Sequence, residues 1–230
     1  MTELRPFAAI GHADHGWLNA AHHFSFGDYR DPARMGWGGI RVWNDDEIAP
    51  GTGFAPHPHE DMEIITYVRT GAISHEDSLG NKGRTEAGDV QVMSAGSGIR
   101  HSEFNHEAVP TTLFQIWIMP RESGGAPYWD ARPFPKGNRS GEWVTLASGF
   151  AGDDALPIRA DARVLGATLK AGDCLTHELG AGRHAYLVPA TGRVTVGTTS
   201  VSARDGIALS AGAFTIIADE DSELVLVDAP

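Results

Sequence analysis

The amino-acid sequence predicts an all-β protein built as a sandwich or a barrel. Its 28 glycines and 13 prolines interrupt the 230-residue chain so often that most segments between them are short. These segments are rich in β-branched and aromatic residues and are bounded by Gly, Pro, Asn or Asp, as is typical of strands. Amphipathic helical periodicity is scarce, and only residues 17–24 could hold a helical turn.

The clearest strand segments occur in both halves of the chain. They are residues 63–68, 89–93, 113–119, 185–188, 194–196, 214–217 and 224–227. Because side chains alternate between the two faces of a strand, Gln115 and Trp117 share one face while Phe114 and Ile116 share the other. One of these faces is expected to line a cavity.

A change in composition divides the chain into two predicted β domains. All six tryptophans lie at or before Trp143, and residues 120–140 are rich in proline and glycine, as is typical of a connector. Glycines and histidines recur faintly in the second half, as Gly172, His177 and His184, but no histidine follows Gly206. We therefore expect domains at residues 1–140 and 141–230, the second being a copy without a metal site.

Composition excludes several classes of function. The net charge is −12 and no basic cluster is present, which argues against nucleic-acid binding. No apolar run approaches the roughly 20 residues of a membrane helix, and the N-terminus has no secretory signal pattern. A single cysteine, Cys174, rules out an intrachain disulfide. We expect a cytoplasmic protein that does not act at a membrane.

Two short signatures point to a metal site. They are His57-Pro58-His59 and His101-Ser102-Glu103. In a strand, residues i and i+2 point to the same side, so each signature directs both of its ligand-type groups into one interior. Three imidazoles and one carboxylate suit a first-row divalent ion that keeps open coordination positions. Gly51 and Gly98 fit tight turns at the ends of the two strands.

These signatures resemble the two motifs of the cupin family. The first, G(X)5HXH(X)3E…G, is matched from Gly51 through Glu63, with Gly71 one residue later than usual. The second, G…GXXH(X)3N, is matched by Gly98, His101 and Asn105, although Gly96 stands where a proline is expected.

The first 120 residues resemble the pirin family more closely. The resemblance rests on three runs: HADHGWLNAAHHFSFGDYRDP, MGWGGIRVWNDDEIAPGTGFAPHPHEDMEIITYV and GDVQVMSAGSGIRHSEFN. The total length and the degenerate second half look like the bacterial members, which are bicupins described as quercetin 2,3-dioxygenases. The resemblance implies two double-stranded β-helix (jelly-roll) barrels, with the metal in the domain of residues 1–140.

The resemblance also implies a ligand set. Carried onto this chain, the pirin ligands are His57, His59, His101 and Glu103. Most cupins instead take the carboxylate from the first motif, which is Glu63 here. Both carboxylates have the parity to face inward if their strands are unbroken. We expect Glu103 to be the ligand, with Glu63 behind the ligands or in an ion pair of the barrel.

The function implied by the resemblance is oxygen-dependent ring opening of a flavonol such as quercetin, with release of carbon monoxide. Glu103 would be both ligand and proton acceptor for the substrate hydroxyl. The cofactor is one divalent transition metal ion; Fe2+ is favoured, while Ni, Mn, Co, Cu and Zn fit the same donors. The partners are then the flavonol-like substrate and O2.

Two alternatives stay open at this point. Some pirins look like non-enzymatic, metal-dependent redox sensors that modulate a protein partner. In another reading, the natural substrate is a different enolisable aromatic.

The other histidines of the first half are predicted to be structural. His12, His15, His22 and His23 are expected to form hydrogen bonds and pack at the barrel end, and His106 to lie at the surface. His75 is expected in a turn without chemistry.

Overall fold

The structure is a computed structural model that describes residues 2–230, and it confirms the all-β prediction. The described residues form twenty strands and three short 3-10 helices, which are Phe7–Ala9, Pro32–Arg34 and Lys136–Arg139. No helix in residues 2–230 combines the length and the apolar character needed to cross a membrane.

Twelve strands precede residue 140. They are β1 (Thr2–Arg5), β2 (Gly11–Asp14), β3 (Leu18–His22), β4 (Ile40–Ile48), β5 (Gly53–His59), β6 (Glu63–Thr70), β7 (Ala72–Asp77), β8 (Lys82–Glu86), β9 (Val90–Ser94), β10 (Ile99–Phe104), β11 (Thr111–Ile118) and β12 (Tyr128–Arg132). The helical turn considered for residues 17–24 is wrong, because residues 18–22 form β3 and pair with β2 and β4.

Eight strands follow. They are β13 (Val144–Ser148), β14 (Leu156–Pro157), β15 (Arg163–Leu169), β16 (Cys174–Thr191), β17 (Arg193–Val196), β18 (Thr199–Ser202), β19 (Gly206–Ala218) and β20 (Ser222–Ala229). All seven predicted strand segments overlap observed strands, but residues 185–188 and 214–217 are only parts of the much longer strands β16 and β19.

The N-terminal half contains a larger and a smaller sheet. The larger has seven strands in the order β12-β9-β6-β11-β4-β3-β2, and the smaller has four in the order β5-β10-β7-β8. One face of the larger sheet and the smaller sheet enclose a polar interior between two small apolar clusters. One cluster contains Leu18, Val68 and Leu113, and the other contains Ile64 and Met93.

The C-terminal half is a single nine-stranded sheet built around the long strands β16 and β19. Strand β1 joins it by pairing with β19, so the first strand of the chain belongs to the sheet of the second half. Its interior is filled by aliphatic side chains, among them Leu187, Ile207, Ile216 and Leu226. Such filling leaves this interior little room for polar groups that could bind a ligand.

The outer face of the larger sheet packs against the C-terminal sheet. Trp43, Ile65 and Phe114 share one buried cluster with Val188 and Val227 from the second half. This settles the parity of β11: Phe114 and Ile116 belong to the core between the halves, and Gln115 and Trp117 face the opposite way. Polar side chains therefore collect on the inner face of the larger sheet.

Candidate metal centre

The histidine signatures lie on two neighbouring strands of the smaller sheet. β5 and β10 run antiparallel with His57 opposite His101, and a bulge follows His101 in this pairing. On its other side β10 pairs regularly with β7, placing Glu103 opposite His75. Gly53 permits the close approach of β5, because a Cβ at this position would lie 2.1 Å from the carbonyl oxygen of Glu103.

Three imidazoles converge at this point. The ligand atoms of His57, His59 and His101 all lie within 4.8 Å of one another. His57 Nε2 and His101 Nε2 are 3.1 Å apart. Glu103 belongs to an overlapping group with His75 and His101, whose ligand atoms also lie within 4.8 Å of one another.

Hydrogen bonds fix the tautomers of two of these rings. His57 Nδ1 donates to the carbonyl oxygen of Ala55 at 2.8 Å. His75 Nε2 lies 3.1 Å from Asp77 Oδ2 and donates to it, so His75 Nδ1 is an acceptor for His101 Nδ1 at 3.5 Å. In both His57 and His101 the hydrogen bond at Nδ1 leaves the Nε2 lone pair free.

This arrangement fits a metal ion. Two Nε2 lone pairs that face each other at 3.1 Å repel unless a cation or a proton lies between them. Burial lowers the pKa of His59 to about 4, with the charge of His57 adding to the effect. Burial and the three neighbouring histidines lower the pKa of His101 to about 2. These two rings are therefore neutral at physiological pH, which is the form that binds metals.

Glu103 is buried and held by donors from the larger sheet. Gln91 Nε2 donates to Oε1 at 2.7 Å, Gln115 Nε2 donates to Oε2 at 2.8 Å, and the Thr66 hydroxyl donates to Oε1 at 3.3 Å. Burial raises the pKa of Glu103 to about 7, although these hydrogen bonds lower it in part. A nearby cation favours the ionised form and would oppose the effect of burial.

The donors to Glu103 belong to one polar row that crosses the inner face of the larger sheet. In the strand registers Gln91 pairs with Thr66, Thr66 with Gln115, Gln115 with Asn44, and Asn44 with His22. At the far end, His22 Nδ1 donates to Asn44 Oδ1 at 2.8 Å. The row thus connects Glu103 to a histidine at the opposite side of the barrel.

A cavity of about 270 Å³ opens beside the histidines. His57, His59, Glu103 and Gln115 contribute its polar groups, and its apolar walls are Trp17, Phe26, Phe54, Ala55 and Trp117. The His59 and Trp117 rings meet edge to face with centroids 5.0 Å apart. The site combines ligand-type groups with flat aromatic walls, as expected for an aromatic ligand.

Glu63 does not line this cavity, because the unbroken strand on which its inward parity depended is not present. Its Oε1 accepts from the Ser94 hydroxyl at 2.7 Å, and Oε2 accepts from the backbone N–H of Arg159 at 3.1 Å. The chain turns between β5 and β6 at Asp61, whose φ is +48°, so the alternation counted from His59 is interrupted. Glu63 consequently faces the second half of the chain.

His75 is also placed differently from the prediction. It lies in β7 rather than in a turn, is 1% exposed, and stacks on Trp129 with ring centroids 4.8 Å apart. Its contact with His101 gives it a role at the site that the sequence analysis missed. The only sequence signal was the i, i+2 spacing of His75 and Asp77 in a short polar strand.

His12, His22 and His23 have the hydrogen-bonding and packing roles that were predicted. His12 Nε2 donates to the carbonyl oxygen of Phe7 at 2.9 Å. The buried His23 lies 2.9 Å from the Tyr186 hydroxyl in the second half. Asn105, just past the site, donates to the carbonyl oxygens of Ile48 and Val109 and so closes a turn.

Comparison with known families matches both halves of the chain. Residues 3–118 match the Pirin model, and residues 145–229 match the model described as the quercetinase C-terminal cupin domain. These matches agree with the bicupin architecture that the resemblance implied.

Known relatives match along the entire chain. A pirin-like protein of Caulobacter vibrioides is 66% identical, with 100% of both chains covered. The quercetin 2,3-dioxygenase of Escherichia coli K12 is 43% identical, covering 100% of this chain and 99% of the relative. The crystal structure of the bacterial pirin YhhW from E. coli in complex with nickel(II) has a TM-score of 0.94 and 42% identity, covering 100% of this chain and 99% of the other. The chain therefore belongs to the pirin family of cupin proteins.

Proposed function

We propose that this protein is a metal-dependent dioxygenase that opens the ring of a flavonol-like substrate with O2 and releases carbon monoxide. The observation that carries the proposal is the convergence of His57, His59 and His101 beside a cavity lined by two of these histidines, Glu103 and flat aromatic side chains. The quercetin 2,3-dioxygenase name of the E. coli relative supports this choice of reaction.

The proposed ligands are His57, His59, His101 and Glu103. The Nδ1 bonds of His57 and His101 hold their rings so that each Nε2 lone pair is free for the ion. Oε2 of Glu103 keeps a lone pair beyond the one used by Gln115, whereas Oε1 already accepts from both Gln91 and Thr66. When bound, a redox-capable metal supplies Lewis acidity and the ability to bring O2 and substrate together.

Glu103 is also the proposed proton acceptor for the substrate hydroxyl. Its burial raises the pKa to about 7, which is close to the value that suits transfer of a proton at neutral pH. Gln91 and Gln115 hold its two oxygens from different strands, so the carboxyl group keeps its orientation whether or not it carries the proton. The proton would therefore reside on Glu103 while the substrate is an oxyanion.

The aromatic walls are proposed to hold the substrate ring. Trp17 and Phe54 meet edge to face at 5.1 Å, and so do Phe26 and Trp117 at 5.4 Å. Rings braced in this way present flat apolar surfaces and exclude water from the proposed reaction site. This wall is the feature that favours an enzyme over the alternative of a redox sensor acting on a protein partner.

We propose iron(II) as the metal because the reaction requires activation of O2. The nickel(II) complex of the E. coli pirin supports the proposal that the same donor set also accepts nickel. We further propose that residues 1–140 form the metal-binding domain and residues 141–230 a degenerate domain without metal. The aliphatic interior of the second half supports this division.

The test is metal-dependent flavonol consumption. Metal-free protein, given one equivalent of Fe(II) without oxygen and then mixed with quercetin and O2, is expected to consume both at equal rates and release carbon monoxide. His57→Ala and His101→Ala are expected to lose metal and activity, while His106→Ala, at an exposed position beside the site, keeps both. Turnover that persists with a strong chelator would overturn the proposal. Turnover absent in the iron form, with a lysate protein captured only by one oxidation state, would favour the redox sensor.

A further inference from the structure

A second chamber adjoins the metal cavity. It has a volume of about 320 Å³ and shares Phe26, Phe54 and Gln115 with the metal cavity. The polar row runs from Glu103 at one chamber to His22 and Asn44 at the other. A ligand longer than one ring system could therefore occupy both chambers at once.

The floor of this chamber carries polar groups that the protein leaves unused. Asp46 is 1% exposed and lines the chamber, and its buried Oδ1 finds no hydrogen-bond partner in residues 2–230. His22 also lines it; because His22 Nδ1 donates to Asn44, the neutral ring presents Nε2 as an acceptor. A buried carboxyl without a partner is costly, so such a group points to a ligand that supplies the missing bond.

The walls of the chamber are aromatic. His22 and Tyr29 stack with ring centroids 6.4 Å apart and an angle of 21° between their planes. The ring centroid of Phe26 lies 5.4 Å from that of His22 on one side and 5.4 Å from that of Trp117 on the other. Phe26 therefore stands between the two chambers. This geometry suits a flat ring.

The polar groups of the chamber suit neutral hydroxyls. Asp28, Asp46 and three histidines line it. Burial and the neighbouring carboxyl groups of Asp45 and Glu103 raise the pKa of Asp46. A hydroxyl can donate to an oxygen of Asp46 whether or not this carboxyl group is ionised, and a second hydroxyl can donate to His22 Nε2. Phenolic hydroxyls on an aromatic ring meet both the shape and the hydrogen-bonding requirement.

We propose that this chamber is a second ring subsite, which binds the hydroxylated phenyl ring of a polyphenol whose other ring system lies in the metal cavity. The inference rests on the proposed function in that it takes a flavonol-like ligand. It adds the residues that select the ligand: Asp46 and His22 bind the phenyl hydroxyls, and Phe26 separates the two rings.

The probe is a set of flavonols that share one fused ring system and carry zero, one or two hydroxyls on the pendant phenyl ring. Equilibrium binding to the metal-loaded protein is measured by quenching of tryptophan fluorescence, with consumption of each compound measured in parallel. The wild type is expected to bind the dihydroxylated compound about tenfold more tightly than the unsubstituted one, as one or two hydrogen bonds to buried groups imply.

Two variants test the residues independently. Asp46→Asn and His22→Phe are each expected to reduce this affinity ratio several-fold, whereas Glu47→Gln, at the next and exposed position of β4, preserves it. Metal stoichiometry equal to that of the wild type shows that each variant has folded. If one variant fails to fold, the other still decides the question.

A wild-type ratio near one, or a ratio that neither variant changes, would overturn the subsite. If the protein consumes flavonols but its affinity ratio is near one, the proposed function stands and only the subsite is rejected. If the affinity ratio is about ten and both variants reduce it, but no flavonol is consumed, the subsite is supported and the proposed reaction is contradicted.

Discussion

His75 Nδ1 lies 3.5 Å from His101 Nδ1, and on its other side His75 Nε2 lies 3.1 Å from Asp77 Oδ2. The three side chains form a relay from a carboxylate to a proposed metal ligand. Stacking against Trp129 fixes the plane of the middle ring. The relay holds His101 in the tautomer whose Nε2 faces His57.

Replacement of His75 by phenylalanine should therefore weaken metal binding without removing a ligand. The new ring can still stack on Trp129, but it offers His101 Nδ1 no acceptor. We expect a 10- to 100-fold loss of metal affinity, as is typical when a hydrogen-bond partner of a ligating histidine is lost. Competition with a coloured chelator measures it. Glu76→Gln, at the exposed position between His75 and Asp77, is the matched control, and equal affinity of His75→Phe and wild type would contradict the relay.

Metal binding should depend on pH through Glu103. The pKa values of His59 and His101 are about 4 and about 2, so protons do not compete for these rings above pH 5. Glu103, with a pKa of about 7, must release its proton to bind the ion, so affinity is expected to fall up to tenfold per pH unit below pH 7. In Glu103→Gln the affinity should be lower and its dependence on pH between pH 5 and pH 7 should be less steep. The same slope in both proteins would show that another group titrates.

The stability of the metal-free protein should also depend on pH through Glu103, and it should decrease as the pH rises. The pKa of Glu103 is raised from 4.5 in the unfolded chain to about 7 in the folded one. Below pH 4.5 the carboxyl is protonated in both states and has no effect. Between pH 4.5 and 7 only the unfolded state ionises, so the folded state loses up to roughly 3 kcal/mol, and the full loss persists above pH 7. Denaturant unfolding should show that Glu103→Gln gains stability over wild type at pH 8 relative to pH 4, and no gain would contradict the raised pKa.

The metal-side histidines could be predicted from the sequence because their geometry is local. In His57-Pro58-His59 and in His101-Ser102-Glu103 the i, i+2 spacing alone places both groups of a pair on one face of a strand. The faces of β11 were likewise predictable as two sets, although only packing against the second half showed which set faces the cavity.

The remaining parts of the site depend on register and turns. The inward parity of Glu63 was conditional on an unbroken strand, and the positive φ of Asp61 interrupts that strand. The relevance of His75 depends on the pairing of β7 with β10, and the polar row depends on four further pairings. A single residue of slip in any of these pairings would turn the side chains to the other face, and local sequence does not specify it.

Glu63 provides a direct contrast with Glu103. Its two oxygens accept from Ser94 and from the backbone N–H of Arg159, and neither contact involves the proposed metal centre. Glu63→Gln is therefore expected to keep full metal stoichiometry and to lower the free energy of unfolding by about 1 kcal/mol through weaker hydrogen bonds to Ser94 and Arg159. Elemental analysis and denaturant unfolding measure the two quantities. A metal-free Glu63→Gln beside a fully loaded Glu103→Gln would reverse the assignment of the carboxylate ligand.

Replacement of Gln115 offers a way to shift the pKa of Glu103 without replacing a proposed metal ligand. Its Nε2 donates to Glu103 Oε2 at 2.8 Å, and its Oε1 accepts from Trp117 Nε1 at 3.1 Å, so one amide links the carboxyl to an aromatic wall of the cavity. Gln115→Leu keeps most of the volume but removes the donor, and a lost hydrogen bond to a charged group is worth about 1.5–3 kcal/mol. The pKa of Glu103 in the metal-free protein should then rise by about one to two units, because the ionised form has lost a partner.

The pH at which metal affinity begins to fall should consequently move upward by the same amount in Gln115→Leu. Gln91→Leu provides the comparison, since it removes the donor to Oε1 from a different strand and should cause a similar shift. Only Gln115→Leu should also alter the fluorescence of Trp117, whose indole N–H loses its acceptor. If the midpoint stays near pH 7 in both variants, either the two amides do not stabilise the ionised carboxyl group or Glu103 is not the group that controls metal binding near neutral pH.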